Sequence, residues 1–191
     1  MNDLEIVSRL KAGDSEAFRF VVDRYQNMVM NCAYKFLQNE ESAEDITQDV
    51  FIEVFESIGS FRVESKLSTW IYRITISKSL NFLKSAKRKK RFAITIRLFG
   101  KENVEDRVTG KESDTPAGEL EKKEMIAVLN LALDRLPENQ KVAFLLSKND
   151  EMSYEEISEV MNLSISAVES LLHRAKVNLR RILFNYYKKN L

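Results

Sequence analysis

Apolar side chains recur every three or four positions over most of the chain, the spacing of helices that bury one face. Leu4, Val7 and Leu10 open the series, Phe18, Val21, Val22 and Tyr25 continue it, and the pattern runs on from Met28 to Leu37. Between the first two groups, Ala12-Gly13-Asp14-Ser15 breaks the pattern and offers a helix N-cap. A second break, Gln38-Asn39-Glu40-Glu41, precedes Ser42 and Asp45, which have the spacing of a capping box. Ile46, Val50, Phe51, Val54, Phe55 and Ile58 then form one apolar stripe, which Gly59 closes. A loop over residues 60–68 leads to a helix starting near Thr69.

After Arg91 the pattern decays. Gly100, Gly110, Pro116 and Gly118, scattered among charges, predict a flexible linker. Order resumes with Leu120, Met125, Ile126, Leu129, Leu133 and Leu136, a helical series that Pro137 stops. Val142, Phe144, Leu145 and Leu146 suit a second helix, and Ser153 with Glu156 makes a capping box for a third. Ser164 or Ser166 caps a fourth, which can run to about Tyr187. No stretch alternates as a strand does, and no internal repeat is visible. The expected fold is all-α: two small helical domains, residues 1–95 and 120–191, joined by a flexible linker over 96–119.

The C-terminal domain carries the layout of a helix-turn-helix. Ile157, Val160 and Met161 face one way, as do Val168, Leu171, Leu172, Ala175 and Leu179, and only Asn162-Leu163-Ser164 separates the two groups. Ser166, Glu169, Ser170, His173, Arg174 and Val177 point outward, with Arg180 and Arg181 beyond. Ser, His and Arg reach base edges and phosphates; Glu169 repels phosphate but can accept from a cytosine amino group. A helical hairpin with a merely solvated polar face has the same spacing.

Charge sharpens the picture. Over 191 residues the net charge is +1, which looks unsuited to nucleic acid. Its distribution is uneven, however: residues 84–91, KSAKRKKR, hold six basic side chains and no acid, while residues 101–120 hold six acids against three bases. In the run STWIYRITISKSLNFLKSAKRKKR, Arg73, Ser77, Asn81, Lys84 and Arg88 fall on one stripe, with Trp70, Ile71, Ile74 and Leu83 turned the other way. A polar, basic stripe ending in a basic cluster suits duplex backbone contact. Phe61, Trp70 and Tyr72 beside it stack unpaired bases or fill the core, and core is the expectation for Trp70. The helix before has the opposite sign, with Glu44, Asp45, Gln48, Asp49, Glu53 and Glu56 outward and Ile52 exposed. That face avoids DNA and is either solvated or a docking face for a basic protein.

Composition then excludes several classes. Hydrophobic residues at 44% and charged residues at 31% describe a soluble globular chain, and five Gly with two Pro are too few for an all-β protein. One cysteine, Cys32, and one histidine, His173, leave no internal disulfide, no structural zinc site and no cofactor to expect. With no glycine-rich phosphate loop either, an enzyme is the weakest reading. No apolar run approaches the ~20 residues of a membrane span, and the N-terminus lacks a signal layout. The expected setting is a reducing cytoplasm without membrane insertion.

Four stretches together resemble the RNA polymerase sigma factors of the extracytoplasmic-function (ECF) class of the sigma-70 family: LKAGDSEAFRFVVDRY, ESAEDITQDVFIEVF, FRVESKLSTWIYRITISKSLNFLK and LPENQKVAFLLSKNDEMSYEEISEVMNLSISAVESLLHRAKVNLRR. They lie in the family's order and span nearly all of the chain outside the linker. The resemblance implies a sigma factor that binds core RNA polymerase and directs promoter recognition, DNA melting and transcription initiation. It implies that Asp45, Gln48, Asp49 and Ile52 dock on the clamp helices of the polymerase β′ subunit. Glu64, Ser65 and Lys66 would belong to the loop that captures a flipped base, and Arg73, Asn81, Lys84 and Arg88 would face the −10 element. Ser166, Ser170, His173 and Arg174 would read the −35 element. Promoter DNA, the β′ clamp helices and the β flap are the implied partners, and an anti-sigma factor is a further candidate because relatives are often controlled by one. Ser77, Asn81, Glu169 and Leu171 depart from the residues many relatives carry, so the promoter bases need not be the usual ones. Two rivals remain: a helix-turn-helix activator that binds its operator alone, and a helical adaptor that binds only protein.

Overall fold

The structure, a computed structural model, describes residues 2–99, 117–148 and 152–190. The first three helices each start on a short polar side chain that takes up otherwise unpaired N–H groups. Asn2 accepts from the Glu5 N–H at 2.8 Å to open α1 (Asp3–Lys11). Asp14 accepts from Glu16 and Ala17 to open α2 (Ser15–Leu37), and its other oxygen takes the Arg9 Nε at 2.7 Å. Those bonds, Arg9's first, hold the Asp14 carboxyl below the usual carboxylate range. For α3 (Glu40–Ser57) the sequence expectation needs correction. Asn39, not Ser42, is the cap, because Asn39 is the extended residue whose side chain reaches the Ser42 N–H at 2.8 Å.

Gly59 does not end that helix in a left-handed turn. α3 instead tightens into a 3-10 turn over Ile58–Ser60, where the Ser60 hydroxyl donates to the Ser57 carbonyl at 2.7 Å. α4 (Leu67–Phe99) begins slightly earlier than expected because Asp3 of α1 accepts from the Leu67 N–H at 2.9 Å. α5 (Ala117–Asp134) and α6 (Glu138–Leu146) flank Pro137. α7 (Tyr154–Met161) starts on the complete capping box of Ser153 and Glu156 and ends at Asn162, left-handed at φ 53°. Ser164, not Ser166, caps α8 (Ile165–Asn190), accepting from the Ala167 N–H at 3.2 Å. Helical backbone therefore enters the expected linker from both sides, as far as Phe99 and from Ala117. The rest of that linker, residues 100–116, lies outside the described residues.

α1 to α4 enclose one apolar core, with Ile6, Val21, Val29, Val50, Val54 and Ile71 fully buried. Burial of such side chains contributes about 1.5–3 kcal/mol each. Leu4 and Phe55, read as core from their spacing, are 65% and 52% exposed. Leu4 sits in the first turn of a surface helix, and Phe55 leans edge-on against Phe18 at 5.2 Å instead of entering the core. Phe61 and Trp70 stack at 4.9 Å against this core, so those aromatics fill space as expected for Trp70.

A second cluster gathers Leu133, Val142, Ile157, Val168 and Leu172 from α5 to α8. Val128, Ala132 and Leu133 form the buried face of α5, with Leu136 buried just beyond its end, whereas Met125, Ile126 and Leu129 are exposed. The same cluster takes in Cys32 and Phe36 of α2 and Tyr72 and Ile76 of α4. The two helical domains therefore share an apolar layer, which no spacing argument anticipated. Among the described residues, no helix is long and apolar enough to cross a membrane.

Candidate nucleic-acid interface

Two pinned ends shape the loop before α4. Lys11 donates from Nζ to the Phe61 carbonyl at 2.8 Å, and Asp3 caps Leu67, so α1 holds the segment at both limits. Between them Val63 adopts φ 60°, a left-handed conformation that costs a β-branched residue about 1–2 kcal/mol. Packing of Val63 against the N-terminal core holds it there. The loop thereby presents Glu64 and Lys66 to solvent, with Ser65 half-buried.

Along α4, Arg73, Ser77, Asn81, Lys84 and Arg88 are all exposed on one side, as their spacing predicts, while Ile71, Tyr72, Thr75, Ile76 and Ser79 are buried. The outer tips of this stripe are not free. Arg73 donates to the backbone carbonyls of Glu159 at 2.6 Å and Val160 at 3.3 Å, both in the last turn of α7. Lys84 pairs with Glu138 at 2.9 Å, and Lys66 pairs with Glu156 at 3.3 Å. Thr69 adds a bond to the Glu159 carboxylate at 3.4 Å, and Lys35 donates to the Lys148 carbonyl at 3.2 Å. Four cations of the N-terminal domain, Lys35, Lys66, Arg73 and Lys84, thus meet carbonyls and carboxylates of the C-terminal one.

Glu156 has a partner on each side of the seam. It accepts from the Ser153 N–H in the capping box and from Lys66, and these two bonds, in that order, hold its carboxyl below the usual range. Two clefts mark the seam. One lies among Arg73, Asn81, Lys84, Glu138 and Met161, the other among Glu64, Lys66, Arg73, Glu159 and Asn162.

The helix-turn-helix face stays open. Ser166, Glu169, Ser170, His173 and Arg174 are exposed, and the last four line one shallow concavity. Arg174 is steadied by a bond from its Nε to the Ser170 carbonyl at 3.1 Å. α7 beneath it is held by Ile157 and Val160, and α8 by Val168, Leu172, Ala175 and Leu179, all buried. The inward set predicted from sequence is therefore present, with Met161 and Leu171 only partly buried.

On α3, Asp45, Gln48 and Asp49 are exposed, and so is Ile52, at 55%. Glu53 departs from that face and pairs with Lys78 of α4 at 3.4 Å. Phe55 joins the face, an addition that sequence reasoning missed. Its signal was its offset of three from Ile52 on the Asp45-Asp49-Ile52 stripe. A second missed feature is an apolar groove between Leu129, Phe144, Leu179, Leu183 and Phe184, rimmed by Lys176 and Arg180. The interleaving of exposed Phe184 with basic residues masked it in the sequence.

Residues 21–89 match the family described as Sigma-70 region 2, and residues 126–179 match the family described as Sigma-70, region 4. The ECF RNA polymerase sigma-E factor of Haemophilus influenzae is 32% identical over 92% of this chain and 92% of its own length. The RNA polymerase sigma-H factor of Pseudomonas aeruginosa is 29% identical over 91% of this chain and 90% of its own. In fold, the chain is similar to CnrH, solved in complex with the cytosolic domain of CnrY, with a TM-score of 0.64 and 20% identity over 96% of this chain and 97% of that one. It is also similar to the sigma factor RpoE of Bartonella quintana, solved with the anti-sigma factor NepR, with a TM-score of 0.54 and 19% identity over 87% of this chain and 96% of that one.

Proposed function

This chain belongs to the sigma-70 family of RNA polymerase sigma factors, in its ECF class, and from that premise we propose how its surfaces divide the work. As a sigma factor it binds core RNA polymerase and directs promoter recognition, DNA melting and transcription initiation. The α3 face of Asp45, Gln48, Asp49, Ile52 and Phe55 docks on a basic, partly apolar surface of the β′ clamp. The groove of Leu129, Phe144, Leu183 and Phe184 receives the β flap. Glu64, Ser65 and Lys66 capture the flipped base, Arg73, Asn81, Lys84 and Arg88 contact the −10 element, and α8 reads the −35 element. The work is done in the cytoplasm, where polymerase and chromosome meet, and requires no covalent chemistry by this chain.

The observation that supports this reading is the pair of polar faces, one on α4 and one on α8, that lie in the order of regions 2 and 4. Neither face is strong alone. With a net charge of +1, the free chain neutralises few phosphates, and phosphate neutralisation supplies most non-specific affinity. Moreover, Lys66, Arg73 and Lys84 are engaged by the C-terminal domain, so α4 meets DNA only after the domains part. Exposed ion pairs contribute about 0–1 kcal/mol each. The polar part of the seam is thus weak; the apolar layer of Cys32, Phe36, Tyr72 and Ile76 is what a docking interface has to displace. Once both domains are seated, the linkage raises the effective concentration of each for its own element. Base capture then offsets the few kcal/mol that unstacking costs.

Run-off transcription with purified core polymerase tests the reading. The expected result is promoter-specific RNA only when the chain is added. A gel shift of promoter DNA by the chain alone, at comparable concentration, favours the stand-alone activator instead. Failure to bind core polymerase or DNA under any condition favours the adaptor.

A further inference from the structure

The recognition face of α8 holds a single acid. Glu169 lies in the second turn of the helix, exposed, and opens onto the same concavity as Ser170, His173 and Arg174. No ion pair engages it among the described residues. A carboxylate near a helix start can be there for the helix itself, because the N-terminus favours negative charge. That benefit falls off within the first turn, and the Ser164 cap already serves the first turn. Support for the helix therefore does not account for Glu169.

In a helix-turn-helix the N-terminal part of the second helix meets base edges. A carboxylate carried there enters a groove walled by phosphates, which is unfavourable unless it gains a hydrogen-bond donor. The major groove offers two base donors, the cytosine N4 amino group and the adenine N6 amino group. Adenine places its N7 acceptor beside N6, where it repels the second carboxylate oxygen. Cytosine places only a C–H there. Ser170, His173 and Arg174 on the same face supply donors to neighbouring bases and phosphates, which keeps the acid seated.

We infer that Glu169 is a specificity-determining residue that selects cytosine at one position of the −35 element by accepting from its N4 amino group. The inference rests on the sigma reading above and deepens it by assigning one base to one side chain.

The test is transcription by the holoenzyme from a promoter library randomised across the −35 element, with the wild-type chain, Glu169→Ala and Glu169→Gln. Wild type should enrich cytosine at one position by roughly ten- to a hundredfold. Glu169→Ala should flatten that position and leave the others unchanged. Glu169→Gln should move the preference there from cytosine to adenine, because a carboxamide matches adenine N6 and N7. A residue needed only for helix stability would lower all signals together without changing the base profile. Three superimposable profiles overturn the inference, as does a wild-type preference for a base other than cytosine at the Glu169-dependent position. Absence of any transcript with the wild-type chain instead overturns the sigma reading itself, and this inference with it.

Discussion

Arg73 on α4 donates to the Glu159 carbonyl in the last turn of α7, at 2.6 Å. The last carbonyls of a helix lack intrahelical partners and carry partial negative charge. They therefore offer a guanidinium much of what a phosphate offers. Glu138, Glu156 and the end of α7 together occupy the cations of the face proposed to meet the −10 element, so on that proposal promoter binding and the closed seam compete for the same side chains.

Cys32 gives a gauge of that seam. It is the chain's one cysteine, buried in the apolar layer that both domains share, and burial pushes its thiol up to about 12. Thiol labelling of the free chain should be slow. Glu138→Gln with Glu156→Gln removes two ion pairs while Gln still serves the capping box, and should speed labelling a few-fold, given up to about 1 kcal/mol per exposed pair. Unchanged labelling would mean that those pairs do not hold the domains together.

The acidic face of α3 should control docking. Asp49→Lys reverses one exposed charge without touching the buried Val50, Phe51 or Val54. Core polymerase affinity, titrated by fluorescence anisotropy, should fall on the order of tenfold, with the helical circular dichroism spectrum unchanged. Equal affinity would remove this face from the docking role.

Lys84→Glu with Arg88→Glu alters the basic end of the α4 stripe. Promoter binding by the holoenzyme should weaken across sequences, and the slope of log affinity against log salt should drop by about 1 for each phosphate no longer neutralised. An unaltered slope would show that the two side chains do not meet phosphates.

Glu156 links the seam to pH. Its carboxyl is held below its ordinary value of 4.5, first by the Ser153 N–H and then by Lys66. Because the folded value is depressed, this contribution to stability is complete above the ordinary value and is lost as pH falls through the folded one. In an NMR titration Glu156 should titrate below 4.5. Lys66→Ala should raise its midpoint only part of the way, since the Ser153 bond remains. No movement on losing Lys66 would place that lysine elsewhere in solution.

Local chemistry made much of the fold legible. Ser153 and Glu156 announce α7 because a capping box is written in two residues three apart, and the inward set Ile157, Val160, Val168 and Leu172 follows from helical period alone. Asn39 was less legible, since Ser42 with Asp45 imitates a box one turn later and only the extended backbone at Asn39 decides between them. Phe55 misleads because a stripe three residues wide has edges, and the period does not say on which side of the edge a large ring falls. The seam was not legible at all. Arg73 meets Glu159, and Lys84 meets Glu138, across long stretches of chain, through residue types that any solvated surface carries.

Strand opening tests the central claim most directly. A −10 element with a fluorescent adenine analogue on the non-template strand brightens when its bases unstack. Mixed with this chain alone, or with core polymerase alone, such a promoter should stay dark; with both together it should brighten. Brightening with either protein by itself, or darkness with both on every promoter in a library, would contradict the account.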